Sequence, residues 1–221
     1  MPACSYVIRY FGLAGRAEPS RLMLTAAKAD WADENPDWPA AKADQPFGQL
    51  PVLVEKSGSD DEPDFVVGQS GTIERYLGRK LGFLPADLKQ AALQEQFHDQ
   101  MGDMILAFYH HAFAPESIKE EKGKAFDTTL EKFVQVQTEL LKSNGNSGYL
   151  FGDSFSYADA VSYGYYKHLM AETDKYRPGI AEHVAGKLTP EIIKHIVTIE
   201  NDPAVKEQTA KWASVAAIVQ A

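Results

Sequence analysis

The chain has 221 residues, a formal net charge of −9, and 44% hydrophobic and 24% charged residues, which is typical of a soluble globular protein. The acidic balance argues against nonspecific binding to nucleic acid or to an anionic membrane, and no segment approaches the roughly 18 uninterrupted apolar residues of a membrane span. Cys4 is the only cysteine, which excludes an internal disulfide and a paired-cysteine metal motif and predicts a reducing, cytoplasmic location.

The first elements predict the start of an α/β unit. β-Branched and aromatic residues at 5–11 predict a strand, and Arg9 within it argues against a secretory signal peptide. The next segment has leucines and alanines at helical spacing, and Pro19 falls in the first turn of that helix, where a missing N–H costs little. The segment 30–35 is polar, and its pattern does not distinguish a strand from a loop.

A hairpin and a second helix complete this unit. The segments 50–56 and 64–68 are short apolar runs that predict paired strands. The acidic loop 57–63 joins them, and we assign it no role beyond solubility. Ser70 and Gly82 are placed to cap the helix that follows.

Pro51 interrupts the apolar run that begins at Leu50. Because proline cannot donate to a sheet ladder, it belongs at the first residue of a strand, at an edge or at a bulge. We expect a cis bond between Leu50 and Pro51. The Leu50 backbone would then be left to pair with an extended peptide ligand, although a plain strand-entry proline is the alternative.

The remainder of the chain predicts helices. One long helix carries an apolar stripe at spacings of three and four: Leu93, Phe97, Met101, Met104, Ile105 and Phe108. The segment 117–142 repeats this pattern. Ser156 and Asp159 form a capping box at the start of a further helix, and more helices are predicted at 190–200 and 203–217. The fold class is therefore a small α/β domain followed by an all-α domain.

Four blocks of the sequence, in order, resemble the cytosolic glutathione transferases. "YVIRYFGLAGRAEPSR" is similar to the opening of the sigma class, "DWPAAKADQPFGQLPVL" and "GQSGTIERYLGRKLG" to the next two family blocks, and "FSYADAVSY" to the capping box of the helical domain. The resemblance spans essentially the whole chain and includes the glutathione-dependent prostaglandin D synthases. It implies a thioredoxin-like domain (βαβαββα) at 1–83, an all-helical domain at 84–221, and a cytoplasmic homodimeric enzyme of detoxification.

The resemblance implies that Tyr10 is the catalytic residue. A free thiol has a pKa of about 8.5, so only a few per cent of glutathione is thiolate at pH 7. A phenol that donates to the sulfur favours the thiolate, and a thiol pKa lower by about two corresponds to roughly 2.7 kcal/mol. Arg16 would add positive charge, although Ala14 stands where the family pattern often has another arginine. Without the resemblance, Tyr10 is a core aromatic and Arg16 a solvated side chain.

The resemblance also assigns residues to the two ends of glutathione. Gln69 and Ser70 would hold the γ-glutamyl carboxylate, because a helix N-terminus favours anions. Trp38 and Lys42 would hold the glycyl end, with the lysine at its carboxylate. Taken alone, these residues have ordinary explanations as a helix cap, a core tryptophan and a surface lysine.

Further contacts are implied for the tripeptide and for a second subunit. Backbone groups of Gln49 and Leu50, left accessible by Pro51, would pair with the cysteinyl portion. Asp103 would reach across a dimer to the ammonium of the neighbour's ligand, or it is simply a solvated acid. Phe47 stands where some classes have an aromatic side chain that enters the partner subunit, or it is an ordinary core residue.

A hydrophobic electrophile is the expected second substrate. Phe11, Leu13, Met104 and Phe108 are apolar and lie near the proposed thiolate or on the facing helix, so we predict that they line its pocket, although such residues are more often core. Conjugation, hydroperoxide reduction and prostaglandin-type isomerisation all use the same thiolate, and the sequence does not separate them. A non-catalytic, crystallin-like or ligand-carrier protein on the same fold is a further alternative.

No metal or nucleotide cofactor is predicted. The chain has no H-E-x-x-H motif, no G-x-G-x-x-G and no P-loop. Adjacent histidines at 110 and 111 point about 100° apart on a helix and make a poor chelate. Glutathione is therefore expected as the co-substrate, without a metal.

Overall fold

The computed structural model describes residues 5–59, 61–173 and 177–220. The sequence places Cys4 before the first strand, without a chemical role, and this residue lies outside the described ranges. A mixed four-stranded sheet with its helices is followed by a helical domain, which confirms the predicted fold class. Within the described residues, no helix is long and apolar enough to cross a membrane.

The amino-terminal domain is built around a sheet with the strand order β2-β1-β3-β4. Its elements are β1 (Ser5–Arg9), α1 (Glu18–Ala26), β2 (Asp30–Glu34), β3 (Val52–Glu55), β4 (Phe65–Gly68) and α2 (Ser70–Lys80). β1 is parallel to β2 and antiparallel to β3, and β3 is antiparallel to β4. Between β2 and β3, where the expected pattern has a helix, this chain has a short 3-10 segment, Ala40–Asp44.

β2 is the element that the sequence left undecided. It pairs with β1 from Ser5–Asp30 to Arg9–Glu34 and forms an edge of the sheet. Most of its side chains are exposed. An exposed edge strand does not need the apolar alternation that reveals a buried strand, and charged residues are common there.

The ends of the first two helices are set by a few special residues. The 3-10 turn Gly15–Ala17 leads into α1, and Pro19 lies in the first turn as predicted. α2 begins at Ser70 itself, so the prediction of Ser70 as N-cap was wrong by one position. Gln69 is the N-cap residue because its φ of 72° turns the chain from β4 into the helix. Gly82, with a φ of 82°, follows the end of α2 and confirms the predicted C-terminal cap.

The carboxy-terminal domain is helical. Its elements are α3 (Leu88–Ala112), α4 (Glu116–Ser143), α5 (Tyr157–Tyr166), a π-helical segment (Lys167–Glu172) that continues α5, α6 (Ile180–Ala185), α7 (Pro190–Asn201), α8 (Lys206–Thr209) and α9 (Val215–Val219). The capping box of α5 is confirmed: the Asp159 carboxylate accepts the Ser156 N–H at 2.9 Å, and Ser156 Oγ accepts the Asp159 N–H at 3.4 Å.

The single helix predicted at 203–217 was wrong, because α8 and α9 occupy this region as two short helices. The chain turns between them where the indole of Trp212 donates to the buried carboxylate of Glu18, at 3.1 Å. Ser214 then starts α9 by accepting the Ala217 N–H at 3.0 Å. A contact distant in sequence therefore interrupts a locally helical pattern.

The apolar stripe of α3 lies in the core of the helical domain. Its buried members are Phe97, Met101, Met104, Ile105 and Phe108. Leu93 was wrongly included, because its side chain is 44% exposed. It lies nearer the start of α3, where it lines a surface groove with residues of α4 rather than the packed interior.

The two domains are joined by close packing and by buried charges. α1 and α5 approach so closely that a Cβ at Gly164 would lie 2.8 Å from the Pro19 ring. Glu18 accepts two hydrogen bonds from Gln208, each at 3.1 Å, and burial raises the pKa of this carboxyl. Because polar groups of both domains satisfy each other here, the two domains are fixed relative to each other.

Candidate functional site

Strand pairing brings the predicted site residues to one end of the sheet. Arg9 of β1 pairs with Val52 of β3, and Val52 pairs in turn with Gly68 of β4. Tyr10 therefore follows the last paired residue of β1, Pro51 precedes the first paired residue of β3, and Gln69 follows β4. These three segments are far apart in sequence, and the register alone places them at the same edge.

Tyr10 lies at this edge with its hydroxyl against the start of the first helical turn. The side chain is buried, and its oxygen accepts the backbone N–H of Arg16 at 3.1 Å. Burial raises the pKa of the Tyr10 hydroxyl above its ordinary value, against the lowering effect of the Arg16 N–H. The phenol therefore stays protonated at neutral pH, and its O–H remains able to donate to an anion.

Gly15 makes room for the Tyr10 ring. A Cβ at this position would lie 2.5 Å from both Cε1 and the hydroxyl oxygen of Tyr10, and Gly15 has a φ of 49°. A residue with a side chain is disfavoured in that conformation. Glycine is thus required here both for the turn and for the close approach of the phenol.

A carboxylate of the helical domain binds the same turn. Glu172 accepts the backbone N–H of Ala14 at 2.5 Å and that of Gly15 at 3.0 Å. Although burial opposes it, hydrogen bonds from His168 and from these two backbone groups hold the pKa of Glu172 below its usual value. No local sequence pattern predicts this contact, which joins residues 158 positions apart.

Tyr109 and His168 are two further residues that the sequence analysis missed. The hydroxyl of Tyr109, on α3, lies 2.6 Å from Nε2 of His168, and Nδ1 of His168 lies 3.5 Å from Glu172. The guanidinium of Arg16 is 5.2 Å from the centre of the Tyr109 ring. One sequence feature points to this cluster: a histidine and a glutamate stand four positions apart at the end of a buried helix.

The predicted γ-glutamyl and cysteinyl contacts lie on neighbouring segments. Nε2 of Gln69 donates to Oε1 of Gln49 at 3.3 Å. Among the described residues, the backbone N–H groups of Ser70 and Gly71 at the start of α2 have no hydrogen-bond partner, and neither do the N–H and C=O of Leu50. The Leu50–Pro51 peptide bond is cis, as predicted. Free backbone donors and acceptors therefore surround this corner of the sheet.

Trp38 and Lys42 lie on the segment between β2 and β3. Trp38 packs edge-to-face on Phe11, with 5.7 Å between ring centres, and Phe11 in turn contacts Tyr10. Lys42 is exposed, and in the part of the chain that the structure describes it forms no ion pair. Its stem runs beside Gly48. This segment therefore presents an exposed ammonium group four residues after Trp38.

Asp103 lies on the exposed face of α3. The neighbouring Asp99, one turn earlier, contacts Arg75 and accepts from Nδ1 of His98 at 2.9 Å. Although burial opposes it, these partners lower the pKa of Asp99. Like charges at i and i+4 on a helix repel each other, and the partners of Asp99 offset this repulsion, while Asp103 remains exposed.

The prediction that Met104 and Phe108 line an electrophile pocket was wrong for this structure. Met104 is 0% exposed and Phe108 is 1% exposed, because both side chains face the core, where Phe108 packs on Phe126 of α4. The next residue, Tyr109, is the one that turns towards Arg16. Leu13 is partly buried beside Gly15, in a position consistent with the prediction.

The site consists of hydrogen-bonding and charged groups rather than metal ligands. In the described ranges, no group of three or more His, Cys, Asp or Glu side chains is placed to hold a metal ion. The arrangement can stabilise an anion at Tyr10 and can hold carboxylates at a helix N-terminus and at Lys42.

Comparison with known proteins identifies the family. Residues 98–211 match the family model described as glutathione S-transferase, C-terminal domain. A probable glutathione S-transferase 6 of Caenorhabditis elegans is 32% identical over 168 residues, covering 71% of this chain and 76% of that protein.

Solved structures agree with this match. A monomeric glutathione S-transferase of the hookworm Necator americanus is 30% identical with a TM-score of 0.71, over 93% of this chain and 96% of that one. A sigma-class glutathione S-transferase of Fasciola hepatica, 23% identical over 96% of this chain and 98% of that one, shares the fold with a TM-score of 0.76. The chain therefore belongs to the glutathione S-transferase family and is a glutathione transferase enzyme.

Proposed function

We propose that this enzyme binds glutathione at the open end of its sheet, ionises the thiol beside Tyr10, and conjugates the thiolate to hydrophobic electrophiles. The observation that carries the proposal is the Tyr10 hydroxyl, which is buried and accepts the Arg16 N–H, in surroundings that raise its pKa. A neutral phenol that accepts one hydrogen bond can donate another, from its own O–H, to a thiolate. Tyr10 would thus hold the sulfur anion without becoming covalently attached.

The energy required is modest. Stabilising a thiolate by about two pKa values corresponds to roughly 2.7 kcal/mol. One charge-assisted hydrogen bond contributes about 1.5–3 kcal/mol, and a helix N-terminus adds about 0.3–1 kcal/mol. Tyr10 and the turn at Arg16 together are therefore sufficient for this shift.

The remaining predicted residues would bind the rest of the tripeptide. The unpaired N–H groups of Ser70 and Gly71 favour the γ-glutamyl carboxylate, because a helix N-terminus attracts anions. The unpaired backbone of Leu50 suits pairing with the extended cysteinyl part. Lys42 would neutralise the glycyl carboxylate, with Trp38 beside it. A local cation is needed here, because the whole chain carries a net charge of −9.

The test compares Tyr10→Phe with Tyr6→Phe. Both tyrosines are buried, Tyr6 within β1 and Tyr10 directly after it, but only the Tyr10 hydroxyl accepts the Arg16 N–H. We expect Tyr10→Phe to stay on a glutathione-affinity resin and to lose about 100-fold in kcat/KM with an aryl halide, together with the ultraviolet absorbance of bound thiolate. Tyr6→Phe should retain both. Unchanged turnover in Tyr10→Phe would contradict the proposal, and a protein that never binds the resin would favour a structural role.

We also propose that the protein forms a homodimer in which Phe47 of one copy enters an apolar groove of the other. The Phe47 side chain is 66% exposed, although it is a large hydrophobic residue. A groove of about 340 Å³ between α3 and α4 has an apolar lining suited to an aromatic ring: Leu93, Phe97, Phe133, Val136, Leu140 and Phe151. Exposed Leu93 and Val136 would be covered by such contact.

Light scattering tests the dimer. We expect wild-type protein to have the mass of two chains, and Phe47→Glu to dissociate because a charge would enter the apolar groove. Phe113→Glu is the matched control, since Phe113 is 69% exposed but lies at the end of α3. A monomeric wild type, as in the hookworm relative, would refute the dimer, and with it the role of Asp103 across an interface.

The finer assignments belong to this proposal. We place the enzyme in the cytoplasm and in a sigma-like class, with domains at 1–83 and 84–221. Conjugation is preferred to hydroperoxide reduction and to prostaglandin-type isomerisation as the main activity. A substrate panel with all three kinds of electrophile, assayed with wild type and Tyr10→Phe, distinguishes them.

A further inference from the structure

The loop between β1 and α1 is held at its backbone from two sides. Its carbonyl groups are bound by the buried guanidinium of Arg21, which donates to the C=O of Leu13 at 2.8 Å and to that of Ala14 at 3.0 Å. Its N–H groups are bound from the other domain, because Glu172 accepts those of Ala14 and Gly15. Arg21 belongs to α1, directly after the loop, whereas Glu172 reaches the loop from the helical domain.

Glu172 takes the place of a helix N-cap side chain. The first N–H groups of a helix have no partner within it, and a serine, threonine, asparagine or aspartate at the N-cap usually accepts one of them. The N-cap of the 3-10 turn Gly15–Ala17 is Ala14, whose side chain cannot accept a hydrogen bond. The two carboxylate oxygens of Glu172 instead accept the N–H of Ala14 at 2.5 Å and that of Gly15 at 3.0 Å. These two hydrogen bonds form the Glu172 clamp.

Three successive N–H groups of this turn are divided between two acceptors. Those of Ala14 and Gly15 bind Glu172. The third, of Arg16, binds the Tyr10 hydroxyl at 3.1 Å. Because the three donors are consecutive in one turn, the carboxylate that holds the first two also determines where the third points. A hydroxyl whose oxygen accepts a hydrogen bond is polarised and donates its own hydrogen more strongly, so the clamp bears on the donor strength of Tyr10.

The turn depends on outside contacts because it contains a glycine. Gly15 has a φ of 49°, and its missing Cβ leaves room for the Tyr10 ring. Glycine loses more conformational freedom on ordering than any other residue, so this turn has a high intrinsic tendency to move. Hydrogen bonds from backbone N–H groups to a carboxylate are charge-assisted and stronger than neutral ones. The Glu172 clamp therefore opposes the freedom that glycine introduces beside the phenol.

Glu172 is itself well fixed. Its side chain is 11% exposed, and it is the last residue of the π-helical segment Lys167–Glu172, a kind of segment that is rare and occurs frequently at functional sites. Nδ1 of His168, one turn earlier, lies 3.5 Å from Oε2 of Glu172. The hydrogen bonds from His168 and from the turn hold the pKa of Glu172 below its usual value, although burial opposes them. The carboxylate is therefore charged at neutral pH.

We propose that Glu172 is a positioning residue for thiolate formation, which acts by keeping the Arg16 N–H on the hydroxyl of Tyr10. The inference rests on the proposed role of Tyr10 in ionising glutathione. It extends that role, because the ionisation of a ligand bound at the sheet edge then depends on a side chain of the helical domain. The bound thiol has a lower pKa with the Glu172 clamp than without it.

The charge of Glu172 has the opposite effect on the thiol. A nearby negative charge disfavours a second anion, so removing the charge alone would lower the pKa of the bound thiol. Loss of positioning raises that pKa instead. The direction of the shift therefore separates a positioning role from a purely electrostatic one.

The experiment titrates the ultraviolet absorbance of the thiolate at saturating glutathione and measures kcat and KM with an aryl halide. Glu172→Asp keeps the charge but is shorter by one methylene group, so it cannot reach both N–H groups. We expect the thiol pKa to rise by about one, and kcat measured below that pKa to fall about tenfold, because each pKa value changes the thiolate fraction by a factor of ten. KM for glutathione should stay within about threefold, because the proposed contacts of the tripeptide lie on other segments.

Glu172→Gln is the second variant. It replaces one of the two acceptor oxygens by an amide NH2, which cannot accept the backbone N–H. We expect the thiol pKa to rise here as well, but by less than in Glu172→Asp, because the loss of charge acts in the other direction.

Glu200→Gln is the matched control. Glu200 also accepts two successive backbone N–H groups, those of Val215 at 3.0 Å and Ala216 at 3.1 Å, at the start of α9. Its substitution should lower the melting temperature and leave the thiol pKa as in wild type. A change of stability alone does not shift the titration of the folded protein, so the control separates loosening of the fold from loss of positioning.

Two results would overturn the inference: a wild-type thiol pKa in Glu172→Asp, or a thiol pKa below that of wild type in Glu172→Gln. An equal rise in Glu200→Gln would do the same, since the effect would then follow from a general loosening of the helical domain. A wild-type protein that binds glutathione without forming a thiolate would instead refute the proposed role of Tyr10, and the inference with it.

Discussion

The sheet edge presents unpaired groups mainly from the backbone, whereas the groups of the helical domain near Tyr10 are side chains. At the edge, the unpaired groups of Leu50, Ser70 and Gly71 are determined by strand ends and a helix start. In the helical domain, Tyr109, His168 and Glu172 depend on which way each side chain turns. Backbone groups suit a constant ligand such as a tripeptide, because a substitution does not remove them. Side chains, in contrast, can be replaced by substitution, which suits a second substrate that varies.

The substitution expected to have the largest effect is Gly15→Ala, because Gly15 lies where the amino-terminal domain meets the helical domain. The new methyl group would overlap Tyr10 and would sit at a φ of 49°. We expect kcat/KM for an aryl halide to fall about 100-fold, which corresponds to about 2.7 kcal/mol. The assay is run well below the melting temperature of the variant, so that unfolding does not contribute.

Gly12→Ala is the control for that substitution. Gly12 lies in the same loop, and a Cβ there would meet only the Asn35 side chain, at 3.8 Å. Its activity should stay within about threefold of wild type, as expected for a surface change of a few tenths of a kcal/mol. Equal losses in both variants would mean that the loop as a whole is sensitive, and the specific role of Gly15 would be lost.

The contrast between the sheet edge and the helical domain also explains which residues of the candidate site could be predicted from the sequence. The sequence predicts site residues at the sheet edge because the residues of this edge fall in short, ordered blocks: Tyr10, Trp38, Lys42, Gln49, Gln69 and Ser70. Glu172 was not located, because its partners Ala14 and Gly15 are more than 150 positions away. Helical periodicity also put Phe108 at the pocket instead of Tyr109, since a spacing of three or four does not tell which neighbour lies at the border of the stripe.

A second prediction concerns the packing of α1 in the amino-terminal domain against α5 in the helical domain. In Gly164→Ala, the added methyl would lie 2.8 Å from the Pro19 ring and 2.9 Å from its nitrogen. Overpacking of this kind costs about 1–3 kcal/mol, and we expect the urea midpoint to fall accordingly. Gly102→Ala, on α3 with nothing within 4 Å of the new atom, should instead gain about 0.5–1 kcal/mol. Equal shifts in the two variants would refute close packing at Gly164.

The smallest effect expected is confined to the sheet edge and comes from Lys42→Met. Methionine keeps an apolar stem beside Gly48 but removes the ammonium group. Loss of one charge-assisted hydrogen bond, about 1.5 kcal/mol, should raise KM for glutathione about tenfold and leave kcat unchanged, because the group does not touch the reacting sulfur. The difference from wild type should shrink at high salt. Lys124→Met, an exposed lysine paired with Glu120 on α4, should change neither constant. If kcat fell with Lys42→Met while KM stayed constant, the lysine would be acting on the chemistry, and its assignment to binding at this edge would be wrong.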